Sequence, residues 1–108
     1  MNSDRKIRVR INVSASGDLA VLAAQGAGTK IILDHINLFP SGGANVLTLE
    51  SGSDVIADYS LGASQGYTYD NTTPYNEVEC GDNEAFNLTL GSATLVTGFA
   101  LFRVIGEV

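Results

Sequence analysis

Few side chains in this 108-residue chain are of a type that does chemistry; His35 is its one histidine and Cys80 its one cysteine. Asp34-His35 sets a carboxylate beside an imidazole, and several serines could complete a Ser-His-Asp relay. Such relays are defined by geometry, however, and no nucleophile-elbow sequence surrounds any serine. A solitary imidazole inside an extended apolar segment is expected to be a hydrogen-bonded structural group. Cys80 has no second cysteine to bridge and reads as a buried or incidental thiol. Two carboxylate pairs, Asp54 with Asp58 and Glu77 with Glu79, could share a strand face, as glycoside hydrolysis or calcium binding would need. With twelve acids in the chain, such pairs read first as a solvated face. Gly26-Ala27-Gly28 leads into an extended segment and opens no helix, so its amides make no phosphate cradle. The expectation is a protein that is not an enzyme and has neither cofactor nor metal site.

The elements around these residues alternate with the period of strands. From 86 to 90, Phe86, Leu88 and Leu90 fall on one face, with Asn87 and Thr89 on the other. Gly91-Ser92-Ala93 supplies a turn, and the run from Ala93 to Ile105 has the β-branched, aromatic and small side chains of a central strand packed on both faces. These two segments are expected to pair as a hairpin. Ile7, Val9, Ile11 and Val13 alternate with Arg8, Arg10 and Asn12 in a leading strand. Further strands are expected at 19 to 24, 29 to 39, 45 to 50 and 54 to 61, the last two joined as a hairpin through Ser51-Gly52-Ser53. Short strands are placed around 65 to 69 and 77 to 80, on either side of the polar segment 70 to 76. Eight or nine short strands at near-regular spacing predict an all-β, single-domain, jelly-roll-like antiparallel sandwich spanning residues 1 to 108, with 1 to 5 as a flexible lead.

Charge is unevenly distributed along this framework. Arg5, Lys6, Arg8 and Arg10 stand against one acid in the first ten residues, whereas Lys30 and Arg103 stand against eleven in the rest. The acidic body repels phosphate backbones and the basic patch is small, so no nucleic-acid partner is expected. The four basic heads are either the solvated face of the leading strand or an electrostatic contact to an acidic partner surface. All four tyrosines, Tyr59, Tyr67, Tyr69 and Tyr75, lie within seventeen residues. Three readings fit them: a subunit interface, a cap on the sandwich edge, or a sugar-stacking platform with Asp70, Asn71 and Asn76 as polar neighbours. No apolar run is long enough to cross a bilayer and the N-terminus lacks a signal-peptide core, so no membrane partner is expected and synthesis is assigned to the cytoplasm. At this length the core is adequate but thin, and oligomerisation is a common remedy.

Several segments together resemble the small decoration, or cement, proteins of tailed-bacteriophage heads. They are Leu19-Ala20-Val21-Leu22-Ala23-Ala24 with a glycine turn, Thr29-Lys30-Ile31-Ile32-Leu33, the hairpin at Ser51-Gly52-Ser53, Asn83 to Leu90, and Val96 to Phe102. The resemblance spans about residues 17 to 105 as a pattern of strands and turns. It implies a jelly-roll homotrimer, similar in fold to the tumour necrosis factor group, that sits on the outside of a virion and binds the major capsid protein to stabilise the shell. The strand at 6 to 14 and the Pro74 segment are not part of the pattern. On this reading Arg5, Lys6, Arg8 and Arg10 are candidate capsid contacts, and the tyrosines candidate subunit contacts. The alternative is a receptor- or carbohydrate-binding module of a phage tail.

Overall fold

The computed structural model describes residues 5–14, 16–63, 65–71 and 78–106. Among them are eight strands: β1 (Arg5–Val13), β2 (Gly17–Leu22), β3 (Thr29–Phe39), β4 (Asn45–Ser51), β5 (Asp54–Leu61), β6 (Tyr67–Asp70), β7 (Phe86–Leu90) and β8 (Val96–Gly106). They form two four-stranded sheets, ordered β1-β8-β3-β6 and β2-β7-β4-β5, and every pairing is antiparallel. Each connection except β4–β5 crosses from one sheet to the other, which is the wrapping order of a jelly roll.

Alternation in each strand drives one face inward. Ile11, Ile31, Leu33, Ile36, Leu38, Val96, Ala100, Phe102 and Val104 from the first sheet meet Val21, Leu47, Leu49, Leu61, Phe86, Leu88 and Leu90 from the second in one buried cluster. Phe86 and Phe102 bridge the two sheets at its centre, their ring centroids 5.1 Å apart and tilted by 60°, a favourable aromatic geometry. A bulge at Asp34 resets the face in β3, where Leu33 opposes Phe102 and His35 opposes Leu101. Apolar side chains therefore return to the core at Ile36 and Leu38 after the extra residue.

The structure corrects the expected terminal hairpin. β7 pairs with β2 on one side and β4 on the other, so β8 crosses to the opposite sheet, between β1 and β3. The connection is also longer than a tight turn, because β8 begins at Val96. Buried Asn45 holds it in place: its Nδ2 donates to the Ser92 carbonyl at 3.0 Å and the Thr94 hydroxyl at 2.9 Å, while its Oδ1 accepts from the Ser92 amide at 3.0 Å. The hairpin through Ser51-Gly52-Ser53 forms as expected, with Ser51 opposite Asp54. Of the short segment at 77 to 80, only a bridge between Glu79 and Ile32 is seen among the described residues.

A candidate protein-docking face

The outer surface of the β1-β8-β3-β6 sheet is built in rows across the strands. Register places Arg8, Leu101, His35 and Asp70 in one row and Arg10, Phe99, Asn37 and Thr68 in the next. Lys6 lies opposite Arg103 at one end, and Asn12, Thr97 and Phe39 form a row at the other. Large apolar groups stay in contact with water here: Leu101 is 38% exposed and Phe39 42%. Phe99 lies beneath two partners, with the Arg8 guanidinium carbon 5.4 Å from its ring centroid and the His35 ring at 5.2 Å. Each contact is within the range of cation–π and ring–ring attraction.

Polar contacts on the same surface divide its charges. Arg103 Nε donates to both Asp34 carboxylate oxygens, at 2.8 and 3.1 Å. Lys30 pairs with Glu79 at 3.5 Å, and His35 Nδ1 meets the Asp70 carboxylate. Among the described residues, Asp34, Glu79 and Asp70 are thus matched to Arg103, Lys30 and His35. Arg5 hydrogen-bonds the Gln25 side-chain oxygen at 3.1 Å. Lys6, Arg8 and Arg10, all exposed, have no carboxylate partner among the described residues.

The other sheet has the opposite character. All six Lys and Arg of the chain lie on β1, β3 and β8. β2, β4, β5 and β7 contain Asp18, Glu50, Asp54 and Asp58 and no cation. Two of these acids accept from hydroxyls: Thr48 donates to Asp58 at 2.7 Å and Thr89 to Glu50 at 2.6 Å. One face of the sandwich carries the cations with aromatic groups, and the opposite face carries Glu50 and Asp58 with their hydroxyl donors beside exposed Val46 and Val55.

The expected site residues map onto this division as follows. Arg5, Lys6, Arg8 and Arg10 all lie on β1; Lys6, Arg8 and Arg10 share the outer side, whereas Arg5 has the parity of Ile7 and Ile11 and bonds Gln25. Tyr59, Tyr67 and Tyr69 pack, half-buried, against the core at the side where β5 and β6 are the sheet edges, and Tyr75 lies outside the described residues. The Tyr59 and Tyr67 rings stack at 4.1 Å. Burial, followed by the neighbouring Tyr59 and Tyr69 hydroxyls, pushes the Tyr67 phenol well above its ordinary value. His35 is bound to Asp70 while Asp34 holds Arg103, so the adjacent Asp34-His35 pair does not form a relay. Glu77 also lies outside the described residues.

Phe99, Leu101, Phe39 and Arg103 on this face were not singled out by sequence, because the run through β8 reads as packed on both sides. Arg103 is the signal that could have revealed them. A cation at 103 places Thr97, Phe99 and Leu101, which share its parity, on a surface that meets solvent.

No protein-family model matches this chain, and no curated protein does. Among solved structures, it is similar to a chain from the disulfide-linked pili that form Bacillus endospore appendages, with a TM-score of 0.57 and 11% identity over 100% of this chain and 91% of that one. It is also similar to a chain from the acid-stable capsid of Helicobacter pylori bacteriophage KHP30, with a TM-score of 0.51 and 11% identity over 97% and 91%. At this identity the likeness is one of fold.

Proposed function

We propose that this chain is a decoration protein of a bacteriophage head: a homotrimer, not an enzyme, that binds the outer surface of the assembled shell through its basic face. The observation that carries the reading is the sorting of all six cations onto one sheet, where Lys6, Arg8 and Arg10 have no carboxylate partner among the described residues and Phe39 and Leu101 are exposed. A sheet surface with aromatic and arginine groups suits a protein partner, and exposed cations select an acidic one. The fold it shares with a phage-capsid chain supports the setting.

On this reading the mechanism is linkage. A trimer that binds assembled lattice and not free capsomers adds its binding free energy to the assembled state alone. Three copies on one particle raise the effective concentration at each contact, so weak patches hold collectively.

Light scattering of the purified chain tests for three copies, and co-sedimentation with undecorated heads tests binding. Replacing Arg5, Lys6, Arg8 and Arg10 together with Gln is expected to lower head affinity by on the order of tenfold or more, with the circular dichroism spectrum unchanged. Equal occupancy by the parent and the quadruple variant would remove the basic face from the contact.

A further inference from the structure

Among the described residues the sandwich has four sheet-edge strands, β1, β6, β2 and β5, and three of them are poor templates for another strand. β6 has only four residues. β2 is bulged at Val21, since Ala20 opposes Asn87 and Leu22 opposes Phe86. β5 is bulged at Ile56, with Val55 opposite Glu50 and Ala57 opposite Leu49. Short strands and bulges are how natural sheets blunt an edge. β1 is different: its nine residues run from Arg5 opposite Val104 to Val13 opposite Val96 without a register shift, and it contains no proline.

That regular edge, guarded by charge alone, borders an open groove. A recess of about 380 Å³ lies between β1 and β2, lined by the stretch Val9 to Ser14 and by Leu19, Ala20 and Val21. An added strand would alternate its side chains between two different surroundings. On the inner side it would find this groove next to Val9, Ile11 and Val13. On the outer side it would lie beside Lys6, Arg8 and Arg10. A second copy of β1 is a poor occupant, because like charges would face each other across the new ladder.

We infer that the free edge of β1 accepts an extended segment of a partner protein in which apolar and acidic residues alternate, joined to the sheet by backbone hydrogen bonds. The backbone ladder supplies attachment, and the alternation supplies selectivity. Nine residues at the strand rise cover roughly 30 Å, so the segment needs to be about that long to use the whole edge. The inference deepens the docking reading of Lys6, Arg8 and Arg10 and rests on it. Its test uses no phage head, so the two can fail separately.

The probe is a fluorescein-labelled nine-residue peptide alternating Val and Glu, titrated by anisotropy into the full chain. Three comparison peptides are used: one scrambled to lose the alternation, one with Lys for Glu, and one N-methylated on alternate residues along one edge, which removes ladder donors. The alternating peptide is expected to bind at least about tenfold more tightly than each of these, and to slow amide exchange across residues 5–13. Arg8→Glu with Arg10→Glu should reverse the preference toward the Lys peptide. Equal binding of the alternating, scrambled and N-methylated peptides would reduce the effect to charge attraction and overturn the inference, as would no binding at millimolar peptide. A peptide that lowers the solution mass of the protein would assign the edge to a second copy, which also overturns it.

Discussion

Gly98 and Cys80 show how single residues limit this fold. Gly98 has φ of +152°, and a Cβ at its position would be driven into the Asn37 carbonyl oxygen on the adjacent strand. Backbone cannot give way inside a sheet paired on both sides. Gly98→Ala is expected to cost about 2 to 4 kcal/mol, read as a shift in urea midpoint. Gly62→Ala, whose added carbon would make only an ordinary 3.5 Å contact with Gln65, should stay within about 0.5 kcal/mol of the parent. Cys80 is buried, and that burial first, with Glu84 and Glu79 adding to it and Ser51 opposing, pushes its thiol up to about 11 from 9.0. The folded chain therefore holds the proton more tightly than the unfolded chain. Stability from this group is intact below pH 9 and falls as pH rises through about 11, by up to about 2 to 3 kcal/mol. Denaturation at pH 8 and pH 11 should show this decline in the parent and a smaller one in Cys80→Ala. A decline of the same size in both would assign it to other groups, the Tyr67 phenol among them.

At the scale of the element, β8 shows what alternation decides and what it leaves open. Its inward residue Phe102 is 1% exposed and stacks on Phe86, so Phe102→Ala should cost about 3 to 5 kcal/mol by cavity formation. Phe99, three residues earlier on the outer face, should cost under about 1 kcal/mol as Phe99→Ala and, on the proposed reading, weaken head binding. Thermal melts and co-sedimentation of the two variants check that separation. The strands other than the one expected at 77 to 80, the β4–β5 hairpin and the all-β class were legible in sequence, because the two-residue period and the Ser-Gly-Ser turn are local signals. The strand to which β7 pairs was not. Local pattern tells which side chains share a face but not which strand lies alongside, and that choice was made by β2 and β4 occupying both flanks of β7. The basic leading strand was legible as a charged segment. Its role as one flank of an aromatic surface was not, because Phe99, His35 and Arg8 meet only through long-range register.

For the molecule as a whole, the decisive property is that its charge is divided between two faces. A net charge of −6 would by itself oppose the proposed contact with an acidic shell, yet on the near sheet Asp34 and Asp70 are paired with Arg103 and His35 and Glu50 and Asp58 lie on the opposite sheet. At physiological salt, with a screening length of about 8 Å, the exposed cations of β1 dominate the field at a docking surface and orient the approach. Two consequences separate this account from one based on apolar contact alone. Head affinity should fall steadily as salt is raised from 0.05 to about 0.5 M, and the quadruple Gln variant should show a much flatter dependence. On the proposed reading, Glu50→Gln with Asp58→Asn, on the outer face of the far sheet beside Thr89 and Thr48, should leave affinity at physiological salt nearly unchanged, because those carboxylates lie on the sheet opposite β1. Equal salt slopes for parent and quadruple variant, or a large gain from the far-sheet pair, would mean that binding reads total charge and not the orientation the fold imposes on it.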